Sequence, residues 1–268
     1  MWIDTCCIDK TSSAELSEAI NSMFRYYFLS DICYAFLKDV HAEGAFKGYP
    51  ESPPFQRSRW HTRGWTLQEL IAPRTVIFLS SDWCPLGSKV DLAASLELAT
   101  GIPAGLLRLE RDITDFSIAQ RMSWAAMRET TRVEDEAYSL LGIFDIVMPT
   151  LYDEGRKAFR RLQEESMRQS VDPTLFGWGT WIAPSLLGRA SIHWKALSEA
   201  QPYKRESHLF ALRPRAFLGC SNLTFTSHPE IEHNPAQDGS AVEESAQVSI
   251  SIPIALAVVT KTARYIGG

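Results

Sequence analysis

Residues 63–79, RGWTLQELIAPRTVIFL, place a short helical pattern directly before an apolar run of strand length. Pro73 separates the two parts, because a helix usually ends at or before the residue preceding a proline. The run that follows is rich in β-branched and aromatic residues and predicts a buried strand. A helix that leads into a buried strand is typical of an α/β domain.

The residues upstream extend this pattern. Residues 11–28 open with Ser12 and Glu15 in a capping-box arrangement and then carry apolar residues at helical spacing, which predicts an amphipathic helix. Residues 31–40, DICYAFLKDV, are mostly apolar and predict a strand, and the opening WID looks like the end of another. Strands that alternate with helices predict a parallel sheet with right-handed crossovers.

Ligands of such sheets bind outside the carboxyl ends of the strands. Residues 4–9 and 38–69 follow strands in this scheme and would line one crevice. The topology therefore brings Asp4, Asp9 and Glu69 to the same side of the sheet. Carboxylates at strand ends are usually caps or loop anchors, and composition alone favours that role for Asp4 and Asp9.

The hydrophobic pattern of the sequence changes twice after residue 85. Residues 86–168 carry four helical patterns, one of them over residues 132–144, RVEDEAYSLLGIF. From about residue 170 the sequence consists of short β-like stretches that are separated by Pro and Gly. We expect an α/β fold: a parallel sheet with flanking helices and a helical segment in residues 1–168, then a small β-rich extension in residues 169–268.

Charged residues crowd the start of the helix predicted at 132–144. Their types and spacing favour helix capping and surface ion pairs over a charged site. The residues are Arg128, Glu129, Arg132, Glu134, Asp135 and Glu136.

Composition excludes several classes of function. A net charge of −5 and a pI near 5.7 argue against nucleic acid as a partner. The opening residues resemble no signal peptide, and the longest apolar run is far below the roughly 20 residues of a membrane span.

Five cysteines without a pairing pattern predict reduced thiols, and no ligand spacing predicts a metal site. These features predict a cytoplasmic protein.

Three blocks of sequence resemble the fungal heterokaryon-incompatibility (HET) domain. The blocks are WIDTCCIDKTSSAELSEAINSMFRYY (2–27), SRWHTRGWTLQELIAPRTVIFLSSDW (58–83) and RMSWAAMRETTRVEDEAYSLLGIFDIVMPTLYDEGRKAFRRLQEE (121–165). They lie in the family's order and cover roughly residues 1–168. The resemblance implies a role as effector or regulator in non-self recognition between fungal cells, ending in programmed cell death.

HET domains are in turn similar to TIR domains, and this chain offers WIDTCCID, LSEAINSMF, ICYAFL and RGWTLQEL in the corresponding order. This resemblance implies that Glu69 falls on the TIR catalytic glutamate and Trp65 on its tryptophan. Catalytic TIR domains cleave the bond between nicotinamide and ribose in NAD. The implied site has Glu69 as the catalytic carboxylate and Trp65, Asp4, Asp9 and Arg63 as substrate-binding residues. NAD is then the substrate, and no further cofactor is required.

The chain departs from the family at its start, where the usual first strand and helix are absent, and we expect an N-terminally truncated HET domain. A smaller departure is Asp153, where the family often has glycine. Two alternatives to the enzyme stay open. In one, the domain is a non-catalytic module that binds other HET or NLR-type receptor modules or a second copy of itself. In the other, the chain is an inert fragment.

Overall fold

The computed structural model describes residues 2–46, 53–179 and 209–225, together with two short strands at 248–251 and 261–263. The α-helices in this part of the chain are α1 (Asp4–Cys7), α2 (Ser13–Phe28), α3 (Pro54–Arg57), α4 (Thr66–Ile71), α5 (Ala93–Thr100), α6 (Ala104–Leu107), α7 (Ile118–Ser123), α8 (Asp135–Tyr138) and α9 (Lys157–Gln169). The strands are β1 (Cys33–Phe36), β2 (Val76–Leu79), β3 (Pro85–Ser88), β4 (Thr224–Phe225), β5 (Val248–Ser251) and β6 (Lys261–Ala263).

A three-stranded sheet of order β1-β2-β3 lies at the centre of the first part. Strands β1 and β2 are parallel, with Cys33 opposite Val76, so the strands predicted after residue 30 and after Pro73, their parallel pairing and the α/β class are confirmed. Strand β3 is antiparallel to β2 and was not predicted. Its sequence, PLGS, carries no strand pattern, and β3 forms because the turn after β2 folds the chain back, with the Ser80 amide donating to the Cys84 carbonyl at 2.9 Å.

Strand β1 forms an edge of this sheet, and no described strand pairs with its other side. Its buried face carries Cys33 and Ala35, while Tyr34 and Phe36 point outward and are 59% and 37% exposed. Trp83 stacks on Phe36 with ring centroids 4.5 Å apart and is itself exposed. The outward face of β1 is therefore an aromatic surface open to solvent.

The interpretation of the opening WID as a strand end is wrong. Ile3 is extended but exposed, and α1 begins at the next residue. Trp2 packs against the rings of Tyr26 and Tyr27 on α2, with centroids 5.3 and 5.6 Å apart. Helix α2 therefore covers the Trp2 ring, which a neighbouring strand would otherwise have to cover.

Helix α2 begins as the sequence predicts. The Ser12 hydroxyl accepts the Glu15 amide at 3.3 Å, which is half of a capping box. The other half differs, because the Glu15 carboxylate accepts the amide of Asp9 at 2.9 Å. Glu15, in the first turn of α2, therefore fixes the loop before the helix.

The helix predicted over residues 132–144 is shorter than expected. Helix α8 ends at Tyr138, and a 3₁₀ turn follows at Leu141–Ile143. This turn lies against α2 so closely that a Cβ on Gly142 would be 2.0 Å from the Cβ of Phe24. Packing against α2 therefore decides the backbone here, and helical periodicity alone does not.

Apolar residues between 175 and 223 join the same hydrophobic core as the first part. The Gln163 side chain on α9 exchanges two hydrogen bonds with the backbone of Ala211, at 2.8 and 2.9 Å. Strands β4, β5 and β6 form a second, antiparallel sheet, as expected for a β-rich extension. Pro173–Phe176 and Pro214–Phe217 are 3₁₀ helices, although their surroundings read as β-like.

Across the described ranges, no helix combines the length and apolar character that a membrane crossing requires. The structure pairs none of the described cysteines in a disulfide, and of these Cys33 and Cys220 are buried.

Candidate functional site

Helix α4 carries Glu69, which lines a cavity. Its neighbours in sequence, Gln68 and Leu70, are buried. Gln68 anchors the helix by donating to the Ser139 carbonyl at 2.7 Å. At the carboxyl end, the buried ammonium of Lys89 donates to the carbonyls of Ile71 and Pro73. A cation there complements the partial negative charge of the helix end. The helix is thus fixed, and Glu69 is the residue that stays partly open.

The cavity has a volume of about 290 Å³, at the small end of the range for ligand sites. Its walls come from the N-terminal loop, α2, α4 and the segment between residues 131 and 152. Carboxylates and aromatic rings line it together. The residues that matter most for its chemistry are Asp4, Tyr27, Trp65, Glu69, Asp135 and Tyr152.

Burial raises the pKa of Glu69 to about 7, and the negative charge of Asp4 acts in the same direction. The positive charges of Arg63 and Arg128 and a hydrogen bond from the Tyr27 hydroxyl oppose this rise. Burial and the charge of Glu69 in turn raise the pKa of Tyr27, which keeps its hydroxyl protonated. Glu69 is therefore a carboxyl group that changes charge near neutral pH.

Arg128 supplies positive charge behind the start of α4. Its guanidinium donates to the Arg63 carbonyl at 2.8 Å, to the Thr66 hydroxyl at 2.9 Å and to the Trp124 carbonyl at 3.1 Å. Burial lowers the pKa of Arg128, and the charge of Glu69 raises it. These contacts hold a cation close to the carboxylate without a direct ion pair.

Asp135 belongs to the part of the cavity wall that comes from residues 131–152. The Tyr152 hydroxyl donates to Asp135 Oδ1 at 3.0 Å, and the Trp65 side chain donates a second hydrogen bond to the same carboxylate. Burial raises the pKa of Asp135. The carboxylate thus sets the orientation of two aromatic rings of the cavity.

The interpretation of the charges at 128–136 as caps and surface ion pairs is wrong for three of them, including Arg128, whose guanidinium bonds to two backbone carbonyls and to Thr66. Glu134 and Asp135 are only 7% and 8% exposed. The Glu134 carboxylate accepts the amides of Asp153 and Gly155 at 2.9 and 3.0 Å. These side chains fold back onto the following loop, which helical periodicity does not reveal.

The structure brings together three of the five residues expected at the site: Asp4, Trp65 and Glu69 line one cavity. Asp9 lies outside the lining, where its carboxylate accepts the amide and hydroxyl of Thr11 at 2.9 and 2.6 Å. Arg63 also lies outside the lining and acts on Glu69 through its charge. Asp9 is a loop anchor in this arrangement.

Sequence reasoning missed Tyr27, Asp135 and Tyr152 as parts of the cavity. Helical spacing places Tyr27 on the inward face of α2, but it does not reveal that the Tyr27 hydroxyl meets a carboxylate. The charge cluster around Asp135 was the one signal in the sequence that could have drawn attention to this wall. Within the described residues, no three His, Cys, Asp or Glu side chains gather as a metal-ligand set.

Two comparisons with known proteins match this chain. Residues 157–259 match a domain of unknown function, DUF8212, and the match begins at the first residue of α9. The chain is also 48% identical over 170 residues to the vegetative incompatibility protein HET-E-1 of Podospora anserina. That alignment covers 61% of this chain but spans only 12% of the length of HET-E-1. The chain is thus related to a fungal incompatibility protein. No solved structure matches it.

Proposed function

We propose that this chain acts in fungal heterokaryon incompatibility and that its cavity cleaves the bond between nicotinamide and ribose in NAD. The first part of the proposal is supported by the identity with a protein named for vegetative incompatibility. The second part rests on the resemblance to TIR domains and on the surroundings of Glu69. A fold resemblance alone does not transfer an activity, so the surroundings of Glu69 carry the second part.

The observation that carries the proposal is that Glu69 lines a cavity with a second carboxylate, Asp4, and two aromatic rings, Trp65 and Tyr27. A glutamate that only capped a helix, or that was an ordinary solvent-exposed helix residue, would lie on a convex surface in contact with water. Glu69 instead lies in a concavity and bonds to Tyr27. This is the arrangement expected of a working carboxylate.

The chemistry needs a negative charge beside C1′ of the ribose. The bond between C1′ and the nicotinamide nitrogen breaks, its electron pair leaves with neutral nicotinamide, and positive charge develops on the ribose. An ionised Glu69 stabilises that oxocarbenium-like state, as carboxylates do in glycoside hydrolysis. A water molecule then adds to C1′ and loses a proton. Trp65 offers a ring face to the pyridinium before the bond breaks.

The test is NAD consumption by the purified chain, at high concentration, with and without Glu69→Ala. We expect the unmodified chain to convert NAD to nicotinamide and ADP-ribose and the variant to lose about a hundredfold or more of that rate. The control is Glu97→Ala, which removes an exposed glutamate from α5 and should keep the full rate. Folding of each variant is checked by circular dichroism.

Two results would count against the enzyme. One is no NAD loss from a folded, concentrated chain. The other is equal loss from the Glu69→Ala and unmodified proteins, which would assign the activity to another site or a contaminant.

A second candidate function is assembly, with a second copy of this chain as the partner. It is favoured by the edge of β1 that no described strand covers and by the exposed aromatic surface of Tyr34, Phe36 and Trp83. An unpaired edge strand is a template for pairing with another strand, so two copies could extend one sheet. In the cell, this surface would equally serve other HET or receptor modules of the same pathway.

Sedimentation velocity over a range of concentrations tests this candidate. Concentration-dependent dimers that disappear in Tyr34→Lys would support it, because a charge on the exposed face disfavours apolar contact while the buried face stays intact. A monomer at every concentration excludes self-association.

A further inference from the structure

Both negatively and positively charged side chains line the cavity, and they differ in their exposure to solvent. The carboxylates of Asp4, Glu69 and Asp135 line it beside the aromatic rings, and two cationic side chains, Lys10 and Arg132, line it as well but are exposed to solvent. Neither cation forms an ion pair with any side chain in the described ranges. A cavity with partly buried anions and solvent-exposed cations suits a ligand that carries both signs of charge.

Arg132 is held in place by an aromatic ring. Its guanidinium carbon lies 4.2 Å from the centroid of the Tyr152 ring, and Tyr152 is itself bonded to Asp135. Stacking on a ring fixes the plane of a guanidinium but leaves its N–H donors available. Arg132 is therefore oriented for a ligand oxygen.

Lys10 is placed by the loop that Asp9 organises. Asp9 bonds to Thr11 on one side of Lys10 and, through its own amide, to the Glu15 carboxylate at the start of α2. The chain on either side of Lys10 is thus tied down, while Lys10 itself is exposed and lines the cavity. This gives the Asp9 carboxylate a role in positioning a cation.

We infer that the cavity takes a phosphorylated pyridine nucleoside, with Lys10 and Arg132 binding the phosphate next to the ribose. This inference rests on the proposed function and specifies the part of the substrate that the site recognises. The pyridinium ring meets the carboxylates and Trp65, and the 5′-phosphate meets the two exposed cations. Phosphate and guanidinium match in geometry as well as charge, so the pair distinguishes a nucleotide from its nucleoside.

The experiment compares two ligands that differ only in the phosphate, nicotinamide riboside and nicotinamide mononucleotide. Binding is measured by calorimetry in a Glu69→Gln background, so that neither ligand is consumed. We expect the mononucleotide to bind about tenfold or more tightly than the riboside, equivalent to about 1.4 kcal/mol. Adding Lys10→Gln and Arg132→Gln should abolish this preference.

A matched control removes the same charge elsewhere. Arg108→Gln with Lys157→Gln neutralises two exposed cations that do not line the cavity, and the preference for the mononucleotide should persist. If it is lost there too, the effect is one of overall charge and the inference fails.

The remaining outcomes separate this inference from the proposed function. Equal binding of both ligands by the Glu69→Gln protein, or a preference that survives Lys10→Gln with Arg132→Gln, overturns the phosphate assignment while NAD cleavage can still stand. No binding of either ligand, together with no NAD loss from the unmodified chain, overturns both.

Discussion

The hydroxyl of Tyr27 donates a hydrogen bond to the carboxylate of Glu69, which joins helix α2 to helix α4 across the cavity. The two residues lie 42 positions apart in sequence, and each changes the other's proton affinity. The charge of Glu69 keeps Tyr27 protonated, and the donor of Tyr27 makes it easier for Glu69 to ionise. The state of the proposed catalytic group therefore depends on how two helices pack.

Glu69→Gln should stabilise the protein at alkaline pH. The pKa of Glu69 is about 7 in the folded chain against an ordinary value of 4.5, so only the folded state keeps the proton between these values. The free energy of unfolding therefore falls as the pH rises from 4.5 to about 7. The fall is about 1.4 kcal/mol for each pH unit in that interval, or roughly 3 kcal/mol in all. Glutamine lacks this dependence.

Urea unfolding at pH 5 and pH 8 measures the effect. The stability of Glu69→Gln relative to the unmodified chain should increase by about 2–3 kcal/mol between the two pH values. Glu97→Gln on the surface of α5 is the control and should show no such change. If the difference in the free energy of unfolding between Glu69→Gln and the unmodified chain is the same at both pH values, Glu69 titrates as an exposed residue.

Tyr27→Phe should move the titration of Glu69 to higher pH. The Tyr27 hydrogen bond lowers the pKa of Glu69, so its removal makes the carboxyl group harder to ionise. Carboxyl-carbon NMR follows Glu69 directly, and the pH at which NAD cleavage reaches half its maximum should move in the same direction. For the unmodified chain this rate should rise through pH 7, as Glu69 becomes charged.

Tyr26→Phe provides the comparison, because Tyr26 is the preceding residue on α2 and does not line the cavity. An identical Glu69 titration in the unmodified, Tyr26→Phe and Tyr27→Phe proteins would refute the coupling.

Gly142→Ala should destabilise the fold and disturb the cavity. The added methyl would meet the Cβ and ring of Phe24 on α2, at 2.0 and 2.6 Å, and a Cβ cannot turn aside as the end of a flexible side chain can. We expect a loss of about 1–3 kcal/mol in the free energy of unfolding. Gly44→Ala is the matched variant, since its Cβ would meet nothing within 4 Å. Similar urea midpoints for both variants would contradict this close packing.

Asp153→Gly should stabilise the loop that Glu134 anchors. Asp153 has a φ of +81°, which side chains with a Cβ rarely adopt. Glycine relieves that strain but enlarges the freedom of the unfolded chain, and we expect a net gain of about 0.5–1 kcal/mol. Gly155, at a φ of +60°, is the reverse case, and Gly155→Ala should lower the thermal midpoint. A lower midpoint for Asp153→Gly would indicate that its side chain supports the loop.

The sequence predicts helices α2, α5 and α9 and strands β1 and β2, because each has a hydrophobic pattern that its own residues complete. It fails where a neighbour supplies the missing information. Helix α8 stops early because α2 lies against Gly142, and the opening residues form no strand because Trp2 packs on α2.

The sequence by itself determined the α/β class and the positions of α2, β1 and β2, since local periodicity is a property of the chain. Its recognisable blocks also singled out Glu69 and Trp65 through the resemblance to TIR domains. Only the tertiary structure decided that Asp135 and Tyr27 share a cavity with Glu69 and that Asp9 does not line it. It also decided the raised pKa of Glu69. Desolvation and the field of nearby charges depend on distance in space, and a sequence records only distance along the chain.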